Sequence, residues 1–144
     1  GNRKIKAQAQ HLMQVVLTAK QQAILQPATL GLRFSAAGYQ FYVFKHDDHG
    51  KYHWRRLSNK NDQLSAPRAF DGSTVVKLSK VSASPLITKG KHKKHPMIVF
   101  SDSGDVTPFK LLIGDARHTV LYRLQLSQAG ALTLKNITGQ SHEG

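Results

Sequence analysis

The chain has 144 residues and no cysteine, and its 21 Lys and Arg against 8 Asp and Glu give a formal charge of +13. That length fits one domain of ordinary size, able to bury roughly 70% of its unfolded surface without a metal or a disulfide. The lack of cysteine excludes disulfide scaffolds, thiol catalysis, iron–sulfur clusters and cysteine-based zinc sites, while the cationic surplus points to an acidic partner such as nucleic acid or an anionic membrane.

Residues from about Arg3 to Gln26 read as one helix, rich in Ala, Gln, Leu, Lys and Met, all good helix formers. Ile5, Ala9, Leu12, Val16, Ala19 and Ala23 recur at spacings of 4 and 3, which puts them on one stripe at about 100° per residue. Met13, Leu17 and Ile24 widen that stripe to one side, and Gln10, Gln14, Thr18, Gln21 and Gln22 form the back. Pro27 ends the run because it has no N–H to donate. The helix starts with no N-cap of its own, and Gly1 is not a natural start. Gly1-Asn2 fits a remnant of tag cleavage, so an N-terminal segment is expected to be missing.

Everything after Pro27 reads as strands. Thr29 to Phe34 puts Leu30, Leu32 and Phe34 on one face, and Tyr39 to Phe44 follows after the tight connection Ser35–Gly38. Asp47-Asp48-His49-Gly50 is a turn, Tyr52 to Leu57 returns, and Ser58 to Gly72 is polar and irregular. Ser73 to Lys80 is a further strand, and Ser82 to Pro96 carries the basic run Lys89–His95. Met97 to Ser101, Val106 to Ile113, Thr119 to Ser127 and Ala131 to Ile137 complete the set, with turn chemistry at Asp102–Asp105 and Ser127–Gly130. No window approaches the roughly 20 apolar residues of a membrane span. One helix followed by seven or so antiparallel strands is an α+β pattern. The whole chain is read as one domain, with helix over about 3–26 and a β-sandwich over about 29–137.

Two stretches carry a family resemblance. Ala23-Ile24-Leu25-Gln26-Pro27-Ala28-Thr29-Leu30-Gly31-Leu32-Arg33-Phe34 with Gly38-Tyr39-Gln40-Phe41 resembles the helix-to-first-hairpin segment of the type II secretion minor pseudopilin H family. Pro96-Met97-Ile98-Val99-Phe100, Gly104 and Thr107-Pro108-Phe109-Lys110-Leu111 are similar to that family's P-x-I-x-F-x-x-x-G-x-x-T-P-F-x-L segment. Trp54 and Leu57 stand where members tend to carry a Trp followed by a Leu. The resemblance implies a type IV pilin-like fold, a long N-terminal helix packed on an antiparallel β-sandwich. It implies a protein whose short basic leader is cleaved off and whose hydrophobic N-terminal half-helix then anchors it in the bacterial inner membrane, with its globular domain in the periplasm. Its partners would be the other minor and major pseudopilins of a short filament, which it would help to link from tip complex to shaft. The rival in the same superfamily is a minor type IV pilin that binds DNA for uptake. Members of that group tend to end in Gly-Arg-x-Arg, whereas here Gly139 is followed by Gln140-Ser141-His142-Glu143.

In a pilin-like protein the N-terminal part of the helix packs on neighbouring helices. Ile5, Ala9, Leu12 and Val16 are therefore the expected subunit-contact face, with Ile5 and Ala9 exposed in the isolated chain and Leu12, Val16, Ala19 and Ala23 in the core. Thr107, Pro108 and Phe109 read as structural, with Pro108 at an edge or bulge and Phe109 as a core anchor. Lys89, Lys91, Lys93 and Lys94 are the candidate anion or DNA contacts, though no aromatic is interleaved with them for base stacking. His46, Asp47, Asp48, His49 and His53 are ligand types that transition metals favour, and His46 and His53 are placed to face each other across the hairpin. A polar turn is the simpler reading. Asp102 and Asp105 are too few carboxylates for a calcium loop. No G-x-S-x-G elbow or H-E-x-x-H pair is present, and seven Asp and the single Glu143 leave few candidates for paired-carboxylate chemistry. No catalytic residue, metal or cofactor is expected.

Overall fold

The structure, a computed structural model, describes residues 2–58, 64–65, 68–82, 97–117 and 119–140. Helix α1 spans Asn2–Leu25. Nine strands follow among the described residues: β1 Thr29–Phe34, β2 Gly38–His46, β3 Tyr52–Arg56, β4 Arg68–Ala69, β5 Thr74–Val81, β6 Met97–Phe100, β7 Phe109–Asp115, β8 Leu121–Leu126 and β9 Leu132–Asn136. The expected α+β arrangement of one helix on antiparallel sheets is the one observed.

The first sheet runs β3-β2-β1-β6, with the short β4 paired to β2 beyond the end of β3; the second runs β5-β7-β8-β9. Every pairing is antiparallel. Strand β4 lies in the stretch read as irregular. Two residues carry no periodicity of their own, and it exists as a strand because Gly38 and Tyr39 pair with Ala69 and Arg68.

Directly paired residues share a face, so register fixes what each sheet turns inward. In the first sheet Leu30, Leu32, Phe41, Val43, Ile98 and Phe100 face the helix, and in the second Phe109, Leu111, Ile113 and Leu124 do. These side chains form one core with the helix stripe Ile5, Ala9, Leu12, Val15, Val16, Ala19 and Ala23. Leu12, Val16, Ala19 and Ala23 are at most 4% exposed, as expected of core positions. The alanines are the small residues that let a helix approach a sheet closely.

The expected exposure of Ile5 and Ala9 is overturned: they are 1% and 0% exposed. The reason is length. A helix of 24 residues spans about 36 Å, and a nine-residue strand such as β2 spans about 30 Å. The β layers accompany the helix almost to its start, where Lys4 lies close enough to Asp71, between β4 and β5, for its charge to help lower the Asp71 pKa, after the larger effect of hydrogen bonds from Ser73.

The first sheet also carries apolar side chains on its outer face. Tyr42, Met97 and Val99 are buried there beside Trp54. Gly31 makes that layer fit: a Cβ on it would lie 2.6 Å from the Met97 sulfur and 2.9 Å from the Trp54 ring. The Arg33 guanidinium lies 4.8 Å from the Tyr42 ring centre, within range of a cation–π contact.

Candidate functional site

The Thr107-Pro108-Phe109 segment forms the passage from the first sheet to the second. Thr107 pairs with Val99 on β6 twice: its N–H donates to the Val99 carbonyl at 3.0 Å, and its Oγ1 accepts from the Val99 N–H at 2.9 Å. The Pro108 carbonyl accepts from the Ser82 N–H at 3.0 Å, just past β5. Proline lacks only the N–H, so it suits this edge, where the carbonyl is the group in use. Phe109 then opens β7 and is 2% exposed, paired with Val81 and Leu126. The segment joins the edges of both sheets and anchors a ring between them, which gives the motif a packing role.

The hairpin between β2 and β3 separates the histidines that were placed face to face. His46 pairs with Tyr52 and Lys45 with His53, so His46 and His53 point to opposite faces of the ribbon. The His46 ring stands edge-on to Tyr52 at 5.6 Å, whereas His53 lies 3.8 Å from Asp47. Asp47 is occupied by the turn itself, its carboxylate accepting from the backbone N–H groups of His49 at 2.8 Å and Lys51 at 3.0 Å. The Lys51 hydrogen bond is the main reason its pKa is held below the usual carboxylate value.

The same chemistry recurs at other turns. Asp71 accepts from Ser73 through backbone and hydroxyl. Asp115 accepts from the Thr119 hydroxyl and from the backbone N–H groups of Thr119 and Val120, with the hydroxyl bond the largest cause of its lowered pKa. In the turn after β6, Asp105 accepts from Ser103, whose hydroxyl also contacts Ser101. Most of the described carboxylates therefore serve to close turns. Among the described residues no group of three or more His, Asp or Glu is assembled that could hold a metal ion.

Among the described residues, clefts lie on either side of the helix. One, of about 190 Å³, lies between His11, Val15 and Tyr39, with Arg68 at its rim. His11 Nε2 is 3.3 Å from the Tyr39 hydroxyl, and burial pushes the Tyr39 phenol up, with Arg68 pulling the other way. The other, of about 350 Å³, lies between Leu17 and Lys20 of the helix, the turn after β6 and the β8–β9 turn. Neither brings together a nucleophile, a base and an orienting group.

The predicted contact residues do not form a surface. Ile5, Ala9, Leu12 and Val16 are all buried within the chain's own core. The large apolar residues that α1 does expose are Leu17, Ile24 and Leu25, at 36%, 45% and 78%. Leu17 and Ile24 belong to the side of the stripe that the sequence shows widening it, so the signal for them was present. Lys89, Lys91, Lys93 and Lys94 lie outside the described residues. No described helix is long and apolar enough to cross a membrane.

Comparison with known proteins adds three findings. The family model of type II transport protein GspH matches residues 8–130. Two solved structures of the minor pseudopilin EpsH from the type II secretion system of Vibrio cholerae have similar folds. One aligns with a TM-score of 0.70 at 20% identity, covering 92% of this chain and 97% of the other. The second gives 0.69 at 21% identity, over 98% and 99%. No curated protein matches the sequence.

Proposed function

The chain belongs to the GspH family of type II transport proteins, the minor pseudopilins of type II secretion, and on that premise we propose that it is a structural subunit linking the tip complex of the pseudopilus to the filament shaft. The observation that carries this reading is the family match over residues 8–130. The long helix laid on two antiparallel sheets agrees with it. The proposed work is assembly with other minor and major pseudopilins, without bond chemistry by this chain. That last part rests on the family match, with the described carboxylates engaged in turns. The proposed setting is the periplasm, with attachment to the inner membrane through an N-terminal segment.

Because the Ile5–Val16 stripe is buried, the helix contacts with neighbouring subunits are assigned instead to the exposed apolar side chains Leu17, Ile24 and Leu25. The DNA-uptake alternative draws only on net charge.

Deletion of the gene tests the role directly. Release of exoproteins should stop and natural transformation should persist; the reverse pattern would overturn the secretion reading. Complementation with Ile24→Asp/Leu25→Asp should fail to restore secretion while the purified variant melts within a few degrees of wild type. Full restoration would sink the assigned contact face.

A further inference from the structure

We propose that the outer face of the second sheet is a docking surface for an acidic protein partner. Register places Lys77, Leu112, Arg123 and Lys135 side by side in one row across β5, β7, β8 and β9. A second row holds Lys80, Lys110, Gln125 and Thr133. Four strands are about 15 Å across and rows two residues apart are about 7 Å from each other. Five cations therefore share a patch of about 15 by 7 Å, with no carboxylate in either row.

Two cation pairs stand directly opposite each other, Lys80 with Lys110 and Arg123 with Lys135. Like charges in that arrangement destabilise a sheet. None of the five cations has an ion-pair partner among the described residues. Asp115 lies outside both rows, at the end of β7 and in the alternation of inward-facing Leu111 and Ile113 rather than of Lys110 and Leu112. A face that opposes its own folding in this way is suited to an anion from outside.

The character of the patch selects the kind of anion. Half-buried Leu112 stands between Lys77 and Arg123, and Val75, 43% exposed, borders the patch one row beyond Lys77. An apolar centre ringed by polar groups is the anatomy of a protein interface, and complementary charge around it gives specificity and rapid encounter. Neither row carries an aromatic side chain on which a nucleobase could stack. The four-stranded face also presents no helix that could enter a DNA major groove. A second copy of this chain, itself at +13, would be repelled.

The test uses a fluorescein-labelled peptide of repeating Glu-Glu-Leu and a duplex DNA of matched charge, titrated in separate experiments at physiological ionic strength. The peptide should bind the wild-type chain. Lys77→Glu/Lys80→Glu/Lys135→Glu, three exposed positions, should weaken binding at least about tenfold. A control with the same charge change, Lys6→Glu/Lys45→Glu/Lys51→Glu, also at exposed positions, should weaken it less than about threefold. Equal losses in the two variants, no peptide binding, or tighter binding of the duplex than of the peptide would each overturn the proposal. Melting gives a second readout independent of the probe. The Lys77/Lys80/Lys135 variant should melt at or above the wild-type temperature at low salt, because it relieves repulsion. A clear fall would refute the claim that the bare face is electrostatically strained.

Discussion

At the scale of single residues, the glycines of the family-like segments have separate physical reasons. Gly31 makes room for Trp54 and Met97. Gly104 holds φ at 98° in the turn after β6, a backbone state that L side chains rarely adopt. Gly38 lets β4 reach β2: a Cβ there would lie 1.9 Å from the Arg68 carbonyl oxygen, a backbone atom that cannot swing aside. Gly38→Ala is therefore expected to cost about 1–3 kcal/mol by overpacking, measured by urea unfolding. Gly72→Ala is the contrast, because nothing lies within 4 Å of its added methyl. It should be neutral or stabilising by up to about 1 kcal/mol. An unaltered unfolding midpoint for Gly38→Ala would show that β4 does not hold β2 at that distance. The positions of these glycines were visible in the sequence. The reason for Gly104 was visible too, as part of a local turn, but those for Gly31 and Gly38 were not, because each depends on strands remote in the chain.

Among the elements, the helix shows what periodicity can and cannot tell. The spacing of Ile5, Ala9, Leu12, Val16, Ala19 and Ala23 identified the apolar stripe, and Pro27 located its end. The boundary Asn2–Leu25 lies within one residue of the reading at each end. Spacing carries no information on how far the covering layers extend, and the pilin analogy misplaced Ile5 and Ala9 for that reason. The corrected position makes a sharp prediction. Ile5→Ala should destabilise the chain by about 2–5 kcal/mol, as expected of a buried side chain, whereas a projecting one would change stability by less than about 0.5 kcal/mol. Denaturant titration by circular dichroism decides between them. Hairpins with their own turn residues, such as β2–β3 and β8–β9, were legible for the same local reason, since Gly50 and Gly130 adopt φ of 76° and 88°. The adjacency of β6 to β1, and the role of Thr107 and Pro108 in joining the sheets, needed the tertiary structure.

For the molecule as a whole, fold class and family were legible because they reside in element order and in a few spaced motifs. The surface was not, since strand register decides which cations become neighbours. With most described carboxylates held in turns and the second-sheet cations without an ion-pair partner among the described residues, self-repulsion should be a measurable part of the energetics. Raising NaCl from about 0.02 M to 0.3 M shortens the screening length from about 20 Å to 6 Å. The melting temperature is therefore expected to rise by several degrees over that range, read by differential scanning calorimetry, and a fall would contradict this charge balance. Trp54 adds a practical consequence. It is the sole tryptophan of the chain and sits in the outer layer of the first sheet, its ring 5.1 Å from that of Phe44, while the helix lies on the opposite side of that sheet. Its emission is thus a built-in optical reporter for one layer of the molecule, and far-ultraviolet ellipticity reports the helix. Coincident melting curves from the two signals would mark the layers as one cooperative unit, and separated curves would reveal an outer layer that loosens first.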